Sequence, residues 1–474
     1  MRNHLALPLV PTRHDQAAFA LVAPGLRAAL TLGVVGGFAM AATLTTTYAL
    51  GLVNGPWWLG LAQAHGHLQL YGWAGLFALS VALHFVPRLR GEALALQRYV
   101  PWIFGALVAG LVLRGIAQPL AAASSSAFWR VALVLSGALE LAALLGAVTA
   151  LGLTLFGRPG MRQRSALWGV APLIGGAFLS LGLSSVVNFA NTITLAYPSA
   201  AGVIPYTGDQ ANVTLGLFGF LVPLALGMSA RTLPMYAGLE PFPRRILWPL
   251  AGLWYTGLAF SLISLATAVG WLGALGDLLM GAALMVFIGG FIRALALRGR
   301  LPKKVAALAP APRARERDYR AQITHDRGSY GPFVAIVASS YLWALLAGIL
   351  LAVNGIAGLF GVTPVSPDAI RHSLALGFVA LLICGIAPRM LPGFSGGRIL
   401  SAGLVWATLW LGDSAALLRV GALLATPALA GLGGAGATTV NILFGLSGPI
   451  GLALAACLLI NLWPALGPHK AQPA

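Results

Sequence analysis

Twelve stretches of about 20 apolar residues run through this 474-residue chain, and their length constrains the fold more than any other feature. A helix rises 1.5 Å per residue, so roughly 20 apolar residues cross the ~30 Å hydrocarbon core of a bilayer. The stretches lie near 28–53, 64–86, 100–119, 128–156, 166–195, 211–230, 246–269, 271–295, 332–356, 368–391, 400–427 and 438–463. Only the Gly270 region separates the seventh from the eighth. Charged residues are 8% of the chain, against roughly 25% in soluble proteins, and cannot cover a water-facing surface. With 58% hydrophobic residues, intrinsic disorder is excluded as well. A disulfide scaffold is excluded too, because the two cysteines, Cys384 and Cys457, both lie inside apolar runs. The expected fold is an all-α polytopic membrane protein with about 12 transmembrane helices.

Basic residues set the orientation, because Lys and Arg gather in cytoplasmic loops. With the N-terminus inside, only Arg114, Arg130, Arg371 and Arg419 of the 29 Lys/Arg fall at outer ends. Both termini are therefore expected inside. The net charge of +18 is explained by this sidedness and points to membrane lipid, not to nucleic acid, as the partner. The start, MRNHLALPLVPTRHD, does not read as a cleavable signal peptide. The expected organisation is a cytoplasmic tail over 1–27 and a membrane domain over 28–295 carrying helices 1–8. A basic cytoplasmic linker over 296–331 follows, then helices 9–12 over 332–464 and a tail over 465–474. Such a chain belongs in a bacterial inner membrane as a multi-pass protein.

A weak internal repeat runs through the second, sixth and tenth helices. They read HGHLQLYGWAGLF…VPRLRG, NVTLGLFGFLVPLALGMSARTLPMYAG and RHSLALGFVALLICGIAPRMLPGFSGG. Gly219-Phe220 precedes Arg231 by the interval at which Gly377-Phe378 precedes Arg389. His67 sits five residues before Gly72-Trp73, His372 five before Gly377-Phe378, and Thr214 holds that place in the middle copy.

Histidines carry the chemistry. His4, His14, His325 and His469 lie in tails or the long inner loop, where solvated surface roles are expected. His65, His67, His84 and His372 lie in spanning segments, where an ionisable group is costly and marks a functional site by default. His65, His67 and His372 are expected within the first turn or so of helices entering from the outer face. His84 is 17 residues beyond His67, roughly 25 Å lower, beside Pro87 and Arg88 at the inner interface. Residues two apart on a helix point ~200° from each other, so His65 and His67 cannot chelate one ion and must serve different flanks. This argues against a zinc cage and fits haem of b type, sandwiched between one of these imidazoles and His372. The remaining histidine faces a second site, for another haem or for copper. Gly66, Gly72 and Gly75 let a flat macrocycle approach the backbone, and Arg371 is a candidate partner for a propionate. Trp57, Trp58, Tyr71 and Trp73 suit either a ring edge or an interfacial belt. Glu140 lies mid-span in the fourth helix, as a proton-relay carboxylate or a neutral hydrogen-bonded side chain. Asp413 and Arg419, six apart in the eleventh, each need their own partner.

Three stretches make the chain similar to the NnrS family of haem- and copper-containing nitric-oxide-response membrane proteins. They are AQAHGHLQLYGWAGLFALSVALHFVPRLRG, ARTLPMYAGLEP and RHSLALGFVALLICGIAPRMLPGFSGGR, with a trailing AALLRV at 415–420. Two positions depart from the family: Phe394 stands where it often has a histidine, and Leu68 where it often has an acidic residue. The resemblance implies His65, His67 and His372 as haem or copper ligands, a small gaseous ligand such as nitric oxide, and a role in its tolerance or turnover. It leaves catalysis or sensing, and any electron donor or respiratory oxidase partner, open. More loosely, the chain resembles the large subunit of haem–copper oxidases and nitric oxide reductases, which pairs histidines on its second and tenth helices around a low-spin haem. Two low-spin ligands, one high-spin ligand and three for copper would need six membrane histidines, and this chain has four. The alternatives are a twelve-helix secondary transporter, with the repeat as its alternating-access device, and an assembly factor delivering metal or haem to a respiratory oxidase.

Overall fold

A computed structural model describes residues 13–53, 55–124, 126–157, 167–197, 199, 202–237, 242, 244–296 and 325–467. Most of the basic linker, the extreme tails with His4 and His469, and the end of the central ARTLPMYAGLEP stretch lie outside these residues. Twelve helices are long and apolar enough to cross a membrane. They are α1 Gln16–Ala49, α2 Pro56–Arg90, α3 Gln97–Ala123, α4 Ala127–Phe156, α5 Trp168–Leu195 and α6 Tyr206–Pro234. Then come α7 Arg245–Thr267, α8 Gly270–Ala294, α9 Phe333–Gly358, α10 Pro367–Ser395, α11 Ala402–Leu429 and α12 Gly433–Leu466. No strand occurs among the described residues. The chain is thus an all-α polytopic membrane protein, as lipid demands, because a helix satisfies its own backbone groups where no water can.

α1 and α2 begin earlier than the apolar runs suggested. α1 starts at Gln16 rather than near 28, and α2 at Pro56 rather than near 64. Pro56 supplies a preset φ at the first helical position, after Gly55 at φ 85°. The polar residues at both starts diluted the hydropathy without breaking the helix.

The repeat has a physical counterpart. α2, α6 and α10 each carry a π-helical segment at the same place: Leu68–Gly75, Thr214–Leu221 and Ser373–Ala380. A fourth, Gly33–Phe38, lies in α1. A wider turn accommodates extra backbone and changes the direction in which later side chains point. His67 and His372 each immediately precede such a segment.

These three helices touch one another at their π segments and form the centre. Around them, contacts close three rings of five helices: α1–α2–α10–α11–α12, α2–α3–α4–α5–α6 and α6–α7–α8–α9–α10. α2, α6 and α10 are the more deeply enclosed spans, with 89%, 78% and 72% of their apolar windows buried, while α7, α11 and α12 have 33% and leave most of their surface outside the bundle. Small residues permit the close approaches. A Cβ at Gly33 of α1 would lie 2.8 Å from Trp73 Cγ of α2, and one at Gly377 of α10 would lie 2.6 Å from Trp343 Cβ of α9.

Candidate functional site

The ring α1–α2–α10–α11–α12 holds His65 and His372. His65 lies in the regular α-helical stretch Pro56–His67, nine residues after its start, so about 14 Å along the axis. This corrects the expectation of a first-turn position for His65 and His67, and the cause is the early start of α2. His372 closes the short stretch Pro367–His372 and does lie near its helix start. His65 Nδ1 donates to the Gly37 carbonyl of α1 at 2.8 Å, at the end of the glycine-rich π segment. A carbonyl can only accept, so this bond fixes the proton on Nδ1 and leaves the Nε2 lone pair available. His372 Nδ1 donates to the backbone carbonyl of Asp368 at 3.0 Å and lies 3.0 Å from the Asp368 carboxylate Oδ1. Neither Nε2 has a hydrogen-bond partner among the described residues.

The two side chains belong to one five-helix ring, to which α10 and α11 also bring Asp368 and Arg419. Arg419 Nη2 donates to Asp368 Oδ2 at 2.7 Å, and its guanidinium stands 4.1 Å above the Phe444 ring of α12. Both histidines are only partly buried, although their helices are among the most enclosed. A Cβ at Gly66 would meet nothing within 4 Å. Toward the inner end the ring is floored by aromatics: Phe394 lies 4.6 Å from the His84 ring and 6.3 Å from Phe19.

His67 belongs to the second ring. Its Nε2 is 2.6 Å from Glu140 Oε2, and both side chains are buried. Glu140 also accepts from Ser136 Oγ at 3.1 Å and Asn188 Nδ2 at 3.2 Å. The Tyr71 ring lies 4.7 Å from that of His67, tilted by 39°, and its hydroxyl bonds Ser184 and Asn212. Arg114, wholly buried, donates to Gln118 at 2.7 Å, which reaches Gln63 at 2.9 Å. His67 Nδ1, Arg114 Nη1 and Asn188 Oδ1 are buried without a partner among the described residues.

The third ring is filled. Tyr341 of α9 stacks 3.9 Å from Phe291 of α8 and lies 5.5 Å from Phe378 of α10. Phe242 and Phe287 stack at 4.9 Å.

Other sequence candidates fall elsewhere. Arg371 donates to Gln210 Oε1 of α6. The cation beside His372's partner carboxylate is Arg419. Trp73 packs on Phe38 at 5.3 Å, Tyr71 serves the second ring, and Trp58 Nε1 bonds Thr47 at 3.3 Å. Asp413 accepts from Ser339 at 2.5 Å and from Trp343 at 2.9 Å, so it and Arg419 do have separate partners. His84 is buried between helices and accepts from Arg88 Nη1 at 3.1 Å. His325 is exposed beside Asp326, as a surface histidine should be.

The sequence reading missed Asp368 and Gly37. Asp368 stands four residues before His372, a spacing that faces the same side of a helix and could have signalled it. Gly37 carries no local signal, because only tertiary packing aims its carbonyl.

Among the described residues no group of three or more His, Cys, Asp or Glu is placed to hold a metal ion. In chemistry, two imidazoles with Nδ1 held and Nε2 available match what a haem would need, two protein ligands rather than a cage.

No protein-family model and no curated protein matches the chain. Among solved structures, a haem–copper terminal oxidase dimer, described by cryo-EM for its catalytic mechanism, is similar. The TM-score is 0.62 at 15% identity, over 96% of this chain and 85% of that one. The chain therefore shares its overall fold with that oxidase.

Proposed function

We propose that this chain is a haem-binding inner-membrane protein of NnrS type, acting in nitric oxide response, tolerance or turnover, with His65 and His372 as the axial pair. The observation that carries this reading is the shared polarity of the two imidazoles: each has Nδ1 tied to its own scaffold and Nε2 without a partner, in one five-helix ring. A bound haem would supply reversible one-electron chemistry. The chain's own part is to hold the ring nitrogens, to exclude water below with Phe19, Phe85 and Phe394, and to offset acidic groups at the outer rim with Arg419. His67 is engaged by Glu140 and lies outside this pair. No copper site is assigned in this reading; among the described residues no group of three or more His, Cys, Asp or Glu is placed to hold one.

The histidine supply and the aromatic filling of the third ring favour a protein with one haem over a terminal oxidase. Purified chain reconstituted with haem should show a Soret band of six-coordinate, low-spin type that is lost in His372→Ala. A spectrum unchanged by that substitution would remove His372 from the assignment.

A further inference from the structure

The two proposed axial histidines have unlike partners, and this asymmetry bears on redox potential. His65 donates to a neutral carbonyl, that of Gly37. His372 donates where a carboxylate, Asp368 Oδ1, stands 3.0 Å from the same Nδ1. We infer that Asp368 is a positioning residue that sets the donor strength of His372, and that Arg419 moderates it through its 2.7 Å bond to the other carboxylate oxygen. This rests on the haem reading above.

A metal-ligating histidine whose distal N–H meets a carboxylate is a stronger base than one whose N–H meets a carbonyl, because negative charge stabilises the proton's departure from nitrogen. A stronger donor favours the ferric over the ferrous state, and a lower potential follows. Drawing the Asp368 charge toward Arg419 weakens this effect. The local sequence builds the arrangement. Ser366 caps the helix by accepting from Asp368 N at 3.3 Å, Pro367 occupies the first turn, and Asp368 comes into line with His372 one turn later. A carboxylate in the first turn also suits the helix dipole, and an ion pair with Arg419 suits packing. Those two roles require no effect on a haem, which makes the inference testable.

The experiment is a spectroelectrochemical titration of haem-loaded wild type, Asp368→Asn and Arg419→Gln in detergent. Asn keeps the size, and the Asp368 backbone carbonyl still accepts from Nδ1, so the ligand stays held. Asp368→Asn should raise the midpoint potential by at least the equivalent of a tenfold loss of ferric preference, 59 mV for one electron. Arg419→Gln should lower it. Equal potentials in all three, with the Soret band intact, would overturn the inference and leave Asp368 with a structural role alone. If Asp368→Asn loses haem, Arg419→Gln still decides: a lowered potential supports the tuning and an unchanged one overturns it. Wild type without any Soret band would sink the haem reading itself, a result distinct from unchanged potentials in loaded protein.

Discussion

Each histidine in the membrane domain is defined by which of its two nitrogens is occupied. In His65 and His372 the scaffold takes Nδ1, in His67 a carboxylate takes Nε2, and in His84 an arginine donates to Nδ1. The ~200° separation of His65 and His67 could be read from their spacing, because both lie in regular α-helix where the period holds. Which of them meets His372 could not, since that depends on where α1 and α4 pack. Glu140 tests this division. Glu140→Leu leaves His67 buried without its partner and should destabilise the protein by about 1–3 kcal/mol, read as a lower thermal midpoint in detergent. The haem spectrum should persist, because Glu140 and the axial pair occupy different rings; loss of the band at retained stability would contradict the division.

At the level of elements, the helices themselves were legible from hydropathy, and ten of their twelve starts needed little revision. The repeat was legible as a Gly-aromatic step before an inner arginine, but the π segments beneath it were not, because the wider turn arises from backbone packing among α2, α6 and α10. Small residues on these surfaces are packing determinants. Gly377→Leu must displace Trp343 and with it the 2.9 Å bond to Asp413. Overpacking of this kind costs about 1–3 kcal/mol. A thermal midpoint equal to wild type would show that α9 and α10 do not approach so closely.

At the scale of the whole molecule, three rings share three helices yet have different contents. One carries the two imidazoles with available Nε2 atoms, one the buried polar network around Glu140, and one an aromatic stack. The fold class was legible because lipid leaves helices as almost the only option, whereas the contents of each ring depend on helix contacts far apart in sequence. This distribution predicts one haem per chain, measured as pyridine haemochrome against protein; two per chain would require a second ligand pair. The end of the long linking segment docks on α10 and α11, where Asp326 lies 3.6 Å from Arg389 and Arg327 sits over Trp406. With the basic residues inside, a protease site placed within 300–328 should be cut only from the cytoplasmic side of sealed vesicles.

Optical absorption of the purified, haem-reconstituted chain tests the central claim most directly, comparing wild type with His65→Ala, His372→Ala and His67→Gln. The account predicts a low-spin Soret band in wild type and His67→Gln that is lost or converted to five-coordinate form in both alanine variants. A band that survives both alanine substitutions, or that disappears only in His67→Gln, would contradict it.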